Sequence, residues 1–400
     1  MLTKLQLKHV VEAQREWLLQ KVPKMPREVS GYEAFTTHAY ILTGIRRCGK
    51  STVLQQVFRQ QPDESIFINF EDPRLAGFDI GDFNKLHEIA LEMGCNAYFF
   101  DEIQNVDKWE NFVRFKLDEG FKVFITGSNA SMLSKELGTK LTGRHVSKEL
   151  FPFSFTEYLR FLGLEKTEQT ALSYLKDGGF PDYLKTYLAE VLMHNFNDIL
   201  IRDIAARYAI RNTDALRQLA VWLVSNVGKP FTGNSLRKLF NIHSSSSIME
   251  YLAYLSDAYL FFFVPKFSYS SKVQLVNPRK VYCIDNGMIS VNSSSFSEDR
   301  GRLLENMVYG QLRRSGSDVY YFNEVKECDF VVFKNGRFEN VLQVCWQLND
   351  DNIQRELAGL EEAMDFFKQD KATIITYNQN DTLQLGNKTI ELIPFHYWIE

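Results

Sequence analysis

HAYILTGIRRCGKSTVLQQVF, residues 38–58, carries the pattern on which the fold turns. The apolar run His38–Thr43 reads as a buried strand, and Ser51–Gln60 reads as a helix. Between them Gly44–Ser51 matches G-x-x-x-x-G-K-[ST] at every fixed position. Glycines let backbone N–H groups curl around phosphate oxygens, and the helix start adds the positive end of its dipole. On this reading Gly44, Ile45, Arg46, Arg47, Cys48, Gly49, Lys50, Ser51 and Thr52 bind a nucleotide. Lys50 neutralises the β- and γ-phosphates, and the Ser51 hydroxyl ligates magnesium. The expected cofactors are ATP and Mg2+. A strand before the loop and a helix after it separate this pattern from a chance Gly-rich turn.

Short apolar runs at Ser65–Phe70, Ala97–Phe100 and Phe121–Thr126 alternate with helical segments such as Trp109–Asp118. That alternation predicts a parallel sheet covered on both faces. AYFFDE sets Asp101 and Glu102 at the end of a strand, where ligands of such sheets bind. Asp101 is expected to hold magnesium through water, and Glu102 to polarise the attacking water. An apolar strand followed by Asp-Glu is common; it gains meaning from following a P-loop. FKVFITGSN ends in Thr126, Ser128 and Asn129. A polar side chain there could sense the γ-phosphate, Ser128 ahead of Asn129, or it could be turn chemistry.

From Phe151 to about Arg211 the pattern is helical, broken at Gly178-Gly179-Phe180-Pro181. Helices at Asp214–Val227, Leu236–Phe240 and Ile248–Ser256 come next. They are followed by an aromatic strand Leu260–Val264, a basic-polar tip Lys266–Lys272 and a return strand Val273–Val276. That order predicts a winged-helix unit. Its third helix offers no Arg, Lys, Asn or Gln to base edges, so reading of a DNA sequence is not expected. Arg237, Lys238, Lys266 and Lys272 could touch phosphates non-specifically; otherwise the unit packs as a lid or partner surface. Strand Lys280–Ile284 opens a second α/β region, with a helix at Gly301–Arg314 and strands at Val319–Asn323, Asp329–Phe333 and Val341–Trp346. A helix at Ile353–Phe367 and a final strand at Ala372–Thr376 close the expected pattern.

The chain has 400 residues, room for two or three domains at roughly 150 residues each. Apolar residues at 45% and charged residues at 24% fit a folded soluble protein, and a net charge of −4 gives no global pull toward nucleic acid or membrane. Charge is uneven, however: Ile201–Lys280 carries 11 Lys/Arg against 4 Asp/Glu, a balance of +7. Cys48, Cys95, Cys283, Cys328 and Cys345 show no C-x-x-C spacing, which excludes a zinc or disulfide framework. The charged N-terminus is not a signal peptide, and the longest apolar runs fall far short of the ~20 residues that span a bilayer. A reducing cytoplasm is the expected compartment, with no membrane partner.

GIRRCGKS, FFDEIQ, ITGSN, LTGRHVSKELFPFSFTEYL and GGFPDYL, in this order, resemble a family of AAA+-type ATPases widespread in bacteria and archaea. VYCIDNGM, LLENMVYGQL, ECDFVV and LQVCW extend the resemblance over nearly the whole chain. It implies an AAA+-like ATPase core at 1–150, a helical lid at 151–212, a winged-helix-like unit at 213–278 and a restriction-endonuclease-like α/β domain at 279–400. It also implies that Arg144 is an arginine finger reaching a neighbouring subunit of a homo-oligomer; pairing with Glu149 is the structural alternative. Such a finger contributes about 10³–10⁵ in rate. Pro181 resembles a turn that covers adenine in related ATPases; a helix-breaking turn is the plain alternative. The C-terminal region has the outline of a PD-(D/E)xK nuclease in Glu305, Asp329 and Gln343-Val344-Cys345. Gln and Cys stand where a carboxylate and a lysine belong, so an inactive scaffold is expected; the alternative is Gln343 as a ligand through its amide oxygen and a lysine supplied from elsewhere in the chain. The functional expectation is an ATPase that drives or regulates its later domains on a partner, with DNA the leading candidate. The alternatives are a nucleotide-switched interaction or signalling module with slow hydrolysis and an ATP-gated metal-dependent nuclease.

Overall fold

Five short runs make the first sheet: β1 (Ala39–Thr43), β2 (Ser65–Asn69), β3 (Ala97–Asp101), β4 (Lys122–Thr126) and β5 (His145–Glu149). In the computed structural model they lie in the order β2-β3-β4-β1-β5, all parallel. The structure describes residues 2–20, 25–28, 37–128, 141, 143–240, 244–294 and 299–399. β1 and β3 are buried along their whole length, as strands covered on both faces must be. Helices Lys50–Phe58, Asp82–Glu92 and Trp109–Asp118 connect the strands. Helix Lys4–Gln20 adds Leu7, Val10 and Val11 to the core that holds Phe83, Phe100 and Ile125. β5 was not anticipated. HVSKE has no buried position, and its pairing with β1, not its side chains, makes it a strand.

The chain divides into two compact units, Met1–Phe151 and Pro152–Glu400. The second opens with helices Phe155–Leu162, Glu168–Asp177, Pro181–Thr186 and Ala189–Asp198, the last running into a π-helical stretch Ile199–Ala206. A capping box of Ser154 and Glu157 starts the first of these, so its N-terminal donors are satisfied locally.

Helices Thr213–Ser225, Gly233–Leu239 and Ser245–Asp257 follow, with a small antiparallel sheet of β6 (Pro230–Phe231), β8 (Arg279–Cys283) and β7 (Phe261–Pro265) in that spatial order. Two expectations are corrected here. Val273–Val276 is not a return strand but part of a short helix, Ser271–Val276. Lys280–Ile284 does not open the last α/β region either, because Lys280–Cys283 belong to β8, paired with β7 from Phe261↔Cys283 to Pro265↔Arg279. Burial decides the register: Val281, Tyr282 and Cys283 are at most 1% exposed there, whereas Leu275 and Val276 stay 69% and 76% exposed.

The remaining strands, β9 (Asp318–Asn323), β10 (Glu327–Lys334), β11 (Arg337–Val344), β12 (Lys371–Thr376), β13 (Asp381–Leu385) and β14 (Lys388–Pro394), form one sheet. Its order is β13-β14-β12-β11-β10-β9, parallel only at β11/β12 and β12/β14. β12 is therefore not the final strand. Helix Ile353–Phe367 packs on this sheet through Leu360, Ala363 and Met364. A buried polar core explains several of the sequence segments that stood out. Asp285 accepts N–H bonds from Gly179 (2.7 Å) and Gly287 (2.9 Å). Asn286 donates to the carbonyls of Leu175 and Leu303, and Asn306 donates to Cys283 O and Asn286 Oδ1. A Cβ on Gly179 would lie 2.3 Å from the Phe153 carbonyl oxygen, so this turn needs glycine.

Candidate functional site

β1 delivers the chain to Gly44, whose φ of 140° and closeness to Leu150 (an added Cβ would sit 2.1 Å from its carbonyl oxygen) admit only glycine. Gly49 at φ 105° ends the loop and caps helix Lys50–Phe58. Arg47 takes a left-handed φ of 63°, rare for a side chain of its size, at the exposed crest of the loop. Lys50 is 4% exposed and folds back, its ammonium donating to the Gly44 and Ile45 carbonyls at 3.0 Å each. A phosphate arriving in the loop offers that ammonium a better acceptor than two neutral carbonyls. Ile45 and Cys48 are buried; Cys48 Sγ donates to the Leu150 carbonyl, and burial pushes its thiol above the ordinary range. Arg46 pairs with Glu71 at 3.4 Å, and Thr52 is half-buried in the first helical turn.

The structure brings the expected magnesium residues together. Ser51 Oγ donates to Asp101 Oδ1 at 3.1 Å, and Thr126 Oγ1 donates to the same oxygen. Asp101 is 1% exposed. Burial, then the neighbouring Glu102 carboxylate, pushes it well above the usual carboxylate range. A carboxylate so placed gains most from a divalent cation. One hydroxyl and one carboxylate, with phosphate oxygens and water, form a donor set that suits Mg2+.

Glu102 follows in a left-handed conformation, φ 52° and ψ 45°, at a strain of roughly 1–3 kcal/mol. Its backbone N–H donates to Thr126 Oγ1 at 3.1 Å, and its carboxylate accepts from Gln104 Nε2. Thr126, fully buried at the end of β4, thus joins the two carboxylate residues. Ser128, 5% exposed, lies two residues farther on; Asn129 is outside the described residues. Sequence reasoning listed Thr126 but put Ser128 first. It missed Gln104, and also Arg27, whose guanidinium donates to the carbonyls of Cys48 and Phe151 and so props the P-loop from below. No motif marks Arg27, since its contacts lie 21 and 124 residues away.

Arg144 precedes β5. Its side chain pairs with Asp118, not with Glu149, and both partners are about half exposed (47% and 52%). Pro181, in the second unit, is the first residue of helix Pro181–Thr186. Its fixed φ suits that position.

In the second unit Glu305 and Asp329 do come together, and the structure adds a residue that the sequence reading did not count. Lys280 of β8 is 1% exposed, with Nζ at 3.1 Å from Glu305, 2.9 Å from Asp329 and 2.8 Å from Glu327. Burial disfavours its charge, but Asp329 and Glu305 outweigh this and hold the ammonium well above its ordinary range. Burial raises Glu305 against the pull of Lys280. Tyr282 donates to Glu305 at 2.6 Å. Gln343 accepts from the Asp329 N–H at 3.1 Å and donates to Glu356, while Cys345 donates to the Gln347 carbonyl and is raised to about 11 by burial. Cys345 does stand at the local lysine position, and Lys280 supplies an ammonium from outside the local motif, the alternative that the sequence left open. Of the basic residues expected to reach phosphate, Lys266 is engaged by Glu324 at 3.0 Å, and Lys238 and Lys272 are exposed. Among the described residues no cluster of three or more His, Cys, Asp or Glu could hold a metal ion, and no helix is long and apolar enough to cross a membrane.

Residues 36–159 match the family model of an AAA domain, and residues 169–298 match a domain of unknown function, DUF8612. Uncharacterized protein MJ1544 of Methanocaldococcus jannaschii is 36% identical over 390 residues, covering 90% of this chain and 87% of that protein. An uncharacterized protein of Haemophilus influenzae is 28% identical over 363 residues, 85% of this chain and 90% of the relative. Likeness to solved structures is weaker. The Thermotoga maritima RuvB Holliday junction branch migration motor is 15% identical, with a TM-score of 0.32 over 66% of this chain and 88% of that one. The Saccharomyces cerevisiae Hsp104–ADP complex is 15% identical, with a TM-score of 0.30 over 64% and 39%. The chain belongs to the family of uncharacterized protein MJ1544, and its residues 36–159 form an AAA domain.

Proposed function

We propose that this protein is an ATPase in which the AAA domain binds ATP with Mg2+ and hydrolyses it. The observation that carries this reading is the meeting of the P-loop helix and the end of β3, with Ser51 Oγ 3.1 Å from Asp101. Lys50 and the loop N–H groups bind the β- and γ-phosphates. Ser51 and Asp101 would hold magnesium, which supplies charge neutralisation at the transferring phosphoryl group. Glu102 takes the proton of the attacking water, Ser128 faces the γ-phosphate end, and Arg144 acts across an interface between copies of this chain.

The cycle drives or regulates the second unit on a partner, with duplex DNA the favoured one. Support comes from the order of three helices and a three-stranded antiparallel sheet, which suits a winged helix, and from the local +7 balance. Turnover measured with and without duplex, single-stranded and branched DNA tests this. Stimulation that fades with salt supports it, and no response to any DNA refutes the DNA part.

One observation favours a second reading, an ATP-gated nuclease: Lys280 joins Glu305 and Asp329. In the present arrangement that ammonium is shared by three carboxylates, so it neutralises the cluster rather than facing a phosphate. We therefore expect no cleavage of linear, branched or single-stranded DNA with Mg2+ or Mn2+. Cutting that disappears in Asp329→Ala would make the nuclease the better reading.

A further inference from the structure

Glu102 reaches its place by an unusual route. It is a non-glycine residue in the left-handed region, between a buried strand end and the single turn Ile103–Asn105. Two contacts hold it there. Thr126 Oγ1 fixes its backbone N–H, and Gln104 Nε2 donates to its Oε2. The other end of the Gln104 amide is the unexplained feature: Oε1 is buried and has no hydrogen-bond partner. A buried carbonyl oxygen without a donor loses the hydrogen bond it would make in water, so such atoms are uncommon unless a ligand or water completes them.

We propose that Gln104 is a positioning residue for ATP hydrolysis, orienting the base. Its amide N–H holds the Glu102 carboxylate in one rotamer. Its Oε1 has no partner among the described residues, so the bond to Glu102 sets which way the amide faces. The proton lost on attack goes to Glu102, and Gln104 neither gains nor loses one. An amide suits this task because its NH2 donates to a carboxylate and does not itself take up the proton. The inference rests on the reading of Glu102 as the base.

The test compares full-length wild type, Gln104→Leu, Gln104→Glu and Glu102→Gln, measuring ATP affinity by calorimetry and hydrolysis by phosphate release. Misplacing a reacting group by about 1 Å can cost about 10²-fold, and general-base catalysis as a whole is worth about 10²–10⁴. Gln104→Leu, which removes donor and acceptor, should lower kcat about 10- to 100-fold while ATP affinity stays within about two-fold. Gln104→Glu keeps the shape and the acceptor but turns an oxygen on Glu102 in place of the N–H; it should lose kcat to a similar degree even if the leucine variant folds poorly. Adding Gln104→Leu to Glu102→Gln should cost little more, because both act on one step. Wild-type turnover in Gln104→Glu, or full additivity in the double variant, would overturn the proposal. If Glu102→Gln itself turns over at the wild-type rate, the assignment of the base fails first, and that result is separable from the other two.

Discussion

Replacing Lys280 by Met tests the most unusual electrostatic feature of the second unit. The ammonium lies within 3.1 Å of three carboxylates and is 1% exposed, so methionine fills most of the volume and removes only the charge. Removing one partner of a buried ion pair costs roughly 3–5 kcal/mol, because the charge left behind has neither water nor counter-ion. The loss has a defined pH dependence. Without the ammonium, which pulls it down, Glu305 rises further above its unfolded pKa. Stability from such groups is fully present below the unfolded values, near 4, and is lost as pH rises through the folded ones. Glu305 already stands raised by burial with Lys280 in place, so the variant should be close to wild type at about pH 4.5 and fall furthest behind at about pH 8. Urea unfolding of both proteins, followed by tryptophan fluorescence at the two pH values, measures this. A loss below about 1 kcal/mol at pH 8, or a loss that does not change with pH, would refute the picture of Lys280 as the counter-ion of a buried acidic cluster.

Arg144→Ala should leave stability within about 1 kcal/mol, since its pair with Asp118 is exposed, yet cut turnover with ATP affinity nearly unchanged. Mixing it with Glu102→Gln should restore some activity through composite sites; no recovery in mixtures shown to exchange subunits leaves Arg144 with its surface pair. Asp285 is pushed up to about 6 by burial, against 3.8 for a free aspartate, so its contribution to stability is full below 3.8 and lost as pH rises through about 6. The stability difference between Asp285→Asn and wild type should therefore shift toward the variant by up to about 3 kcal/mol between pH 4 and 7, read by denaturant titration.

Where local pattern decides structure, the sequence was legible. Helices Trp109–Asp118 and Ile353–Phe367 have the anticipated bounds, and β1 to β4 lie within a residue of theirs, because each is an uninterrupted apolar or amphipathic run. The P-loop was readable for the same reason: its glycines, Lys50 and Ser51 are adjacent in the chain and set by backbone chemistry. What failed depended on partners. β5 is a strand only because β1 is beside it, and the aromatic β7 chose β8 over the nearer Val273–Val276 because that register buries more apolar surface. Thr126, Gln104 and Arg27 gained their places through side-chain hydrogen bonds that leave no periodic trace. Lys280 is 25 residues from Glu305 and 49 from Asp329, so no local motif could contain all three.

The central claim, that the P-loop binds ATP and the carboxylate beside it drives hydrolysis, is tested most directly by one paired measurement. Magnesium-dependent ATP binding and phosphate release are followed for wild type, Lys50→Ala and Glu102→Gln under the same conditions. Lys50→Ala should lose ATP binding, because the phosphates lose the cation that now rests on the Gly44 and Ile45 carbonyls. Glu102→Gln should bind ATP as wild type does and release phosphate about 10²–10⁴-fold more slowly, because an amide cannot take the water's proton. Wild-type binding by Lys50→Ala, or phosphate release by Glu102→Gln at the wild-type rate, would contradict the account.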